Sequence, residues 1–146
     1  MAYKNGMLFS PQTYKELIFP HHRMMFEFFK QNNMPSVLHC DGDVREFIPL
    51  LIEAGLTAIQ PLEARAGNDV RELKKIYGNE IIFIGNINAD VMSSTKEEIE
   101  FEVRTKVSAA KQDGGYIFHS DHSVPPSVSF ENYCYVIELV EKYGKY

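Results

Sequence analysis

Tryptophan is absent from these 146 residues, cysteine occurs twice, and no stretch approaches the apolar run that a membrane span needs. Cys40 and Cys134 are too few and too widely separated for a disulfide framework, and in a reducing compartment both stay thiols. The first residues, MAYKNGMLFS, contain no apolar segment followed by a small-residue cleavage site. No secretory signal is therefore indicated, and the chain is expected in the cytoplasm. Basic blocks are missing too. The 15 Lys and Arg are scattered among 20 Asp and Glu, for a net charge of -5, which argues against nucleic acid or an acidic membrane surface as the main partner. A small-molecule ligand is the default that remains. With 45% hydrophobic residues the chain is not disordered, and its length suits a single domain, 1–146, with a buried core.

What is present is an alternation. SPQTYKELIFPHHRMMFEFFKQNN begins with Ser10 and Pro11, an N-cap and a first-turn proline, and keeps apolar residues at helical spacing through Phe29; Pro20 should kink or split it. Four units of one kind follow, each a short apolar strand, a polar loop and an amphipathic helix. The strands are SVLHC, TAIQPL, IIFIG and GYIFHS. The helices are expected over 43–54, 68–77, 95–112 and 129–143, and glycine-bearing stops (AGL, YGN, DGG) precede the later strands. Continuous apolar strands joined by helices belong to a parallel sheet covered on both faces. The expected class is α/β, a (βα)4 array of four parallel strands behind a leading helix.

In such sheets the strand C-termini and the loops after them form the ligand face. His39 and Asp41 end the first strand, Gln60 and Glu63 follow the second, Asn86 and Asn88 the third, and His119, Asp121 and His122 the fourth. His39 and Asp41, two residues apart on a strand, face the same side. With His122 they make two imidazoles and a carboxylate converging at one edge. Each also has a plain structural reading. Asp41 can cap a turn in DGD, His39 can be a satisfied strand-end histidine, and Asp121 can form the turn that opens DHSVPPS. Asn86 and Asn88 can bond loop amides, and Glu63 can be a solvated charge. Cys40 points to the other side of its strand and reads as a small buried hydrophobe, Cys134 reads as core, and His21 and His22 receive no role.

Taken in order, YKNGMLFSPQTYKELIFPHH, VLHCDGDVREFIPLLIEAGLTAIQPLEARAGNDVRELKKIYG, IIFIGNIN and GGYIFHSDHSVPPSVSFENY resemble the C-terminal half of the uroporphyrinogen decarboxylase superfamily. That superfamily has a (β/α)8 barrel fold and includes corrinoid-linked methyltransferases that pass a methyl group to a thiol. The resemblance implies half of a TIM barrel. In the methyltransferase branch a His-x-Cys pair and a later Cys hold a zinc ion that activates the acceptor thiol. The matching positions here are His39, Asp41 and His122, so the first ligand is kept and the other two depart. In the decarboxylase branch a tail histidine, which His122 resembles, binds the porphyrin, while the essential arginine and aspartate lie in an N-terminal half with no counterpart here.

The resemblance thus implies zinc on His39, Asp41 and His122, cofactor contacts from Glu63, Asn86 and Asn88, and a corrinoid as methyl donor. One carboxylate and two imidazoles suit zinc and also admit ferrous iron, nickel or cobalt. Compared with a two-thiolate site, this donor set makes zinc a stronger Lewis acid and a bound thiolate a weaker nucleophile. The alternatives are a uroporphyrinogen decarboxylase-type fragment and a non-catalytic remnant or binding subunit. A full barrel needs about 250 residues. Four strands leave two edges unpaired and barrel-lining side chains such as Val37, Ile59, Ile82 and Ile117 uncovered, so a partner is expected. A homodimer is favoured, ahead of a separate N-terminal half-barrel chain or a fragment; a corrinoid protein is a further expected partner.

Overall fold

The structure, a computed structural model, describes residues 1–145. It opens on an antiparallel hairpin that the helical and parallel-strand patterns did not include. Strands β1 (Ala2–Tyr3) and β2 (Gly6–Met7) pair with Tyr3 opposite Gly6. The signal for it was the Asn5-Gly6 dipeptide, which favours tight turns. Helix α1 (Pro11–Leu17) then starts where Ser10 accepts the Thr13 amide at 3.1 Å. Pro20 splits rather than kinks the long helical run: α2 (Phe19–Gln31) begins afresh with Pro20 in its first turn, where a missing N–H costs nothing.

The four expected strands form one parallel sheet in sequential order, β3 (Val37–Cys40), β4 (Ala58–Pro61), β5 (Ile82–Ile84) and β6 (Tyr116–Ile117). A bridge between Ile87 and Ser120 extends the last pairing. The helices between and after them are α3 (Ile48–Ala54), α4 (Val70–Tyr77), α5 (Lys96–Ala110) and α6 (Phe130–Gly144). Helix α3 starts later than expected because Asp43 Oδ1 accepts the Arg45 amide at 3.1 Å, a local turn that competes with helix. Asp69, Thr95 and Ser129 cap α4, α5 and α6, and Thr95 forms a reciprocal capping box with Glu98. No helix among the described residues is long and apolar enough to cross a membrane.

Strand alternation sorts the sheet into two faces. Cys40, Ile59 and Phe83 turn toward the helices and join a core with Phe47, Leu51, Ala54 and Leu73. A second core, between α5 and α6, gathers Ile87, Ile99, Val103, Val107, Val136 and Leu139. Each fully buried aliphatic or aromatic side chain of this size contributes about 1.5–3 kcal/mol. The opposite, concave face is the one a closed barrel would enclose, and there Val37 and Ile117 are 51% and 52% exposed. Ile59 does not belong with them. It pairs with Leu38 and Phe83, one residue out of step with Val37, and is fully buried on the helix side. Four parallel strands, each followed by a helix and with edges β3 and β6 free, make a (βα)4 half of a TIM barrel.

Candidate functional site

The strand C-termini surround an open cavity of about 510 Å³, whose wall includes His39, Asp41, Gln60, His119, Asp121 and His122. Met92, Phe118, Val124 and Tyr133 supply its apolar side. A larger hollow, about 770 Å³, lies at the other end of the strands and has no histidine or cysteine in its lining. In barrel folds that end serves stability and the C-terminal end carries chemistry.

Alternation along β3 places His39 and Asp41 on one side, and His39 Nε2 stands 3.4 Å from Asp41 Oδ1. Across the ladder His39 pairs with Gln60, and His39 Nδ1 lies 3.3 Å from Gln60 Oε1. The Gln60–Pro61 peptide is cis. The His39 and Asp41 side chains are 61% and 53% exposed. A histidine–carboxylate contact so exposed contributes little to stability, about 0–1 kcal/mol even when charged. Stability therefore does not account for bringing the two together.

The loops that carry these groups are tied to one another by buried polar side chains. Asn68 accepts the Val44 amide at 3.2 Å and donates to the carbonyls of Gly42 and Glu63, both at 2.8 Å, joining the loops after β3 and β4. Asp121 accepts the Ala64 amide at 2.9 Å and the Ala89 amide at 2.8 Å, joining the loop after β6 to those after β4 and β5. Lys106 reaches from α5 to the Asn86 carbonyl and to Glu102 Oε1, both at 2.6 Å, while Glu102 accepts the Asn88 amide at 2.9 Å. Gly85 must be glycine: at φ +119 a Cβ would stand 2.0 Å from the Pro61 carbonyl oxygen. Near the rim, hydrogen bonds from Arg45 and Arg71 hold the carboxyls of Asp43 and Asp69 below the usual range. Burial pushes the Tyr116 phenol well above its ordinary value, and its hydroxyl donates to the Gly85 carbonyl at 3.0 Å.

The sequence candidates part company here. His39 and Asp41 come together. His122 is on the wall of the same cavity but joins no cluster; its carbonyl accepts the Ser120 hydroxyl at 2.7 Å. Glu63 is not a free solvated charge, since Oε2 accepts the Gly42 amide at 2.9 Å. With Asn88 and His122 it lines a smaller neighbouring cavity of about 180 Å³. Asn88 Oδ1 accepts the Asp90 amide at 3.0 Å. Asn86 is withdrawn from any ligand: fully buried, it donates to the carbonyls of Leu62 and Asn68 and accepts the Val70 amide. Gln60, Asn68 and the Glu102–Lys106 pair were given no role by the sequence. Only Gln60 carried a signal, as a strand-end residue on the same face as His39.

The donor chemistry at His39 and Asp41 fits a divalent cation, because an imidazole nitrogen and a carboxylate oxygen converge on an accessible point. Among the described residues no three His, Cys, Asp or Glu side chains are grouped so as to hold a metal ion. The fit therefore rests on this pair, with His122 across the cavity.

A half-barrel whose strand ends gather histidines and carboxylates around an open cavity carries part of the face on which (βα)8 scaffolds build their sites. The family described as Uroporphyrinogen decarboxylase (URO-D) matches residues 3–143, and the chain belongs to it. Its relatives include the uroporphyrinogen decarboxylase of Geobacter metallireducens, 25% identical over 146 residues that cover 94% of this chain and 39% of that protein. The uroporphyrinogen decarboxylase of Hydrogenobaculum sp. is 27% identical over 144 residues, covering 96% and 40%. That of Vesicomyosocius okutanii is 32% identical over 77 residues, covering 53% and 22%. The chain thus spans about two-fifths of the length of the relatives that it matches from end to end.

Proposed function

We propose that the chain supplies the C-terminal half of a metal-assisted active site that transfers a methyl group from a corrinoid to a thiol-type acceptor. The observation that carries this reading is the lining of the main cavity, which has three imidazoles and two carboxylates but neither Lys nor Arg. Such a wall attracts a cation. His39 and Asp41 would hold zinc, with His122 as the third ligand. When bound, the ion supplies Lewis acidity that lowers the pKa of an acceptor thiol. The chain's own groups do the rest. Met92, Phe118, Val124 and Tyr133 form an apolar side, and Glu63 and Asn88 line the neighbouring cavity, where they can contact donor or acceptor. The remaining walls come from a partner, either a second copy or an N-terminal half-barrel.

The second reading, decarboxylation of a porphyrinogen, is favoured by the names of the relatives. A substrate with many carboxylates needs cationic partners; this cavity offers none beyond its histidines, and Arg65 in the neighbouring one is already paired with Asp90. A non-catalytic role is the third possibility, and it predicts folding without metal uptake. Metal analysis of untagged protein separates these readings. About one zinc per chain, lost in a His39→Ala, His122→Ala double variant, supports the metal site, and full retention in that variant sinks it. Loss of methylcobalamin absorbance on adding a thiol would then favour methyl transfer. Turnover of uroporphyrinogen by the chain alone would favour the decarboxylase.

A further inference from the structure

We propose that Gln60 is a positioning residue that fixes the ring of His39 for cation binding. This rests on the metal reading above. The two residues are register partners on neighbouring parallel strands, so their side chains leave the sheet side by side on the concave face. Gln60 Oε1 lies 3.3 Å from His39 Nδ1, while the other ring nitrogen, Nε2, lies 3.4 Å from Asp41 Oδ1. In the proposed arrangement Gln60 Oε1 accepts from His39 Nδ1–H. In a neutral imidazole Nε2 is then a bare lone pair, directed at the same region as a carboxylate oxygen. Two electron-rich atoms facing one another are stable when a cation sits between them.

The opposite tautomer, with the hydrogen on Nε2, would turn a donor rather than a lone pair toward Asp41. It would also leave the Nδ1 lone pair against the Gln60 oxygen. Gln60 thus weights the balance toward the tautomer that binds. It does so from a strand rather than a loop, paired directly with the strand that carries His39. Ligating histidines commonly bond an acceptor through their other nitrogen, and loss of that acceptor lowers metal affinity by about 10–100-fold.

The test compares the full chain with Gln60→Leu, which removes the acceptor, and with Gln60→Glu, which keeps it. Zinc affinity is measured by competition with a chromophoric chelator, and the His39 ring is observed by 15N-correlated NMR in the zinc-loaded protein. The expected result is an affinity at least tenfold weaker in Gln60→Leu, restored in Gln60→Glu, with a slowly exchanging Nδ1–H on His39 that disappears in the leucine variant. A side chain that merely packs would not separate leucine from glutamate in this way. Equal affinity in all three proteins, or a His39 that coordinates through Nδ1, overturns the proposal. If wild type takes up no zinc, the metal reading fails, and the metal-free His39 ring decides the role of Gln60. An Nδ1 shift altered by Gln60→Leu then supports the contact, and an unaltered one removes it.

Discussion

Tyr3 lies against Gly42, on the loop that follows His39 and Asp41. A Cβ on Gly42 would stand 2.6 Å from the Tyr3 carbonyl carbon and oxygen and 2.7 Å from its nitrogen, and the Asp43 amide donates to the Tyr3 carbonyl at 3.0 Å. Gly42 also has φ +84, where a side chain is strained. Gly42→Ala should therefore destabilise by about 2–4 kcal/mol, strain and overpacking combined. The check is urea unfolding, and a midpoint equal to wild type would count against the close contact.

Lys106 and Glu102 form the most buried ion pair among the described residues, with side chains 7% and 16% exposed. Removing one partner of such a pair costs about 3–5 kcal/mol because the other charge is left uncompensated. Lys106→Met should approach the lower end of that range, since the Asn88 amide still bonds Glu102. The exposed Glu72–Lys75 pair is the control. Lys75→Met should change stability by less than about 1 kcal/mol. Equal effects of the two variants on thermal melting would contradict this ranking.

The fully buried Tyr14 hydroxyl lies 2.9 Å from His22 Nδ1, and the two rings pack edge to face. Burial, with His21 nearby, lowers the His22 pKa; burial also pushes Tyr14 up to about 12. Because His22 is depressed in the folded state, its contribution is whole above its ordinary value of about 6.5 and is lost as pH falls through that value to the folded pKa. Tyr14 has the opposite sign. Its contribution is whole below pH of about 10 and is lost as pH rises from there toward 12. Denaturant midpoints at pH 8 and pH 5 should differ in wild type, and the difference should shrink in His22→Gln. An unchanged difference in that variant would assign the acid sensitivity elsewhere.

Val37 and Ile117 stand on the two free edge strands, each about half exposed on the concave face. Leaving such side chains wet forgoes about 25 cal/mol per Å² of apolar surface. The expected state of the isolated chain is a two-fold dimer, the commonest closed assembly, with a mass near twice 16.8 kDa by light scattering. Ile117→Lys should shift it toward monomer without unfolding it. A well-folded wild-type monomer whose melting temperature does not vary with concentration would refute this.

The four (βα) units could be read from the sequence because apolar strands and glycine stops repeat, and because buried strands need no partner information to be recognised. The convergence of His39 with Asp41 was legible for a similar reason: two-residue parity on a strand is a local property. Asn86 misled because an asparagine after a strand looks the same whether it meets a ligand or three distant backbone groups. Asn68 and Asp121 have partners on other loops, and no short stretch of sequence records those. The late start of α3 turned on one carboxylate, Asp43, bonding the amide two residues on.

The ties made by Asn68, Asn86 and Asp121 have a dynamic consequence. Between them they engage the amides of Val44, Ala64, Val70 and Ala89, which belong to loops or helix starts after three different strands. None of these segments can lift away without stripping a buried side chain of its bonds, so the rim opens as a single cooperative unit. The four amides should then exchange with deuterium at one shared free energy, although they lie far apart in the chain.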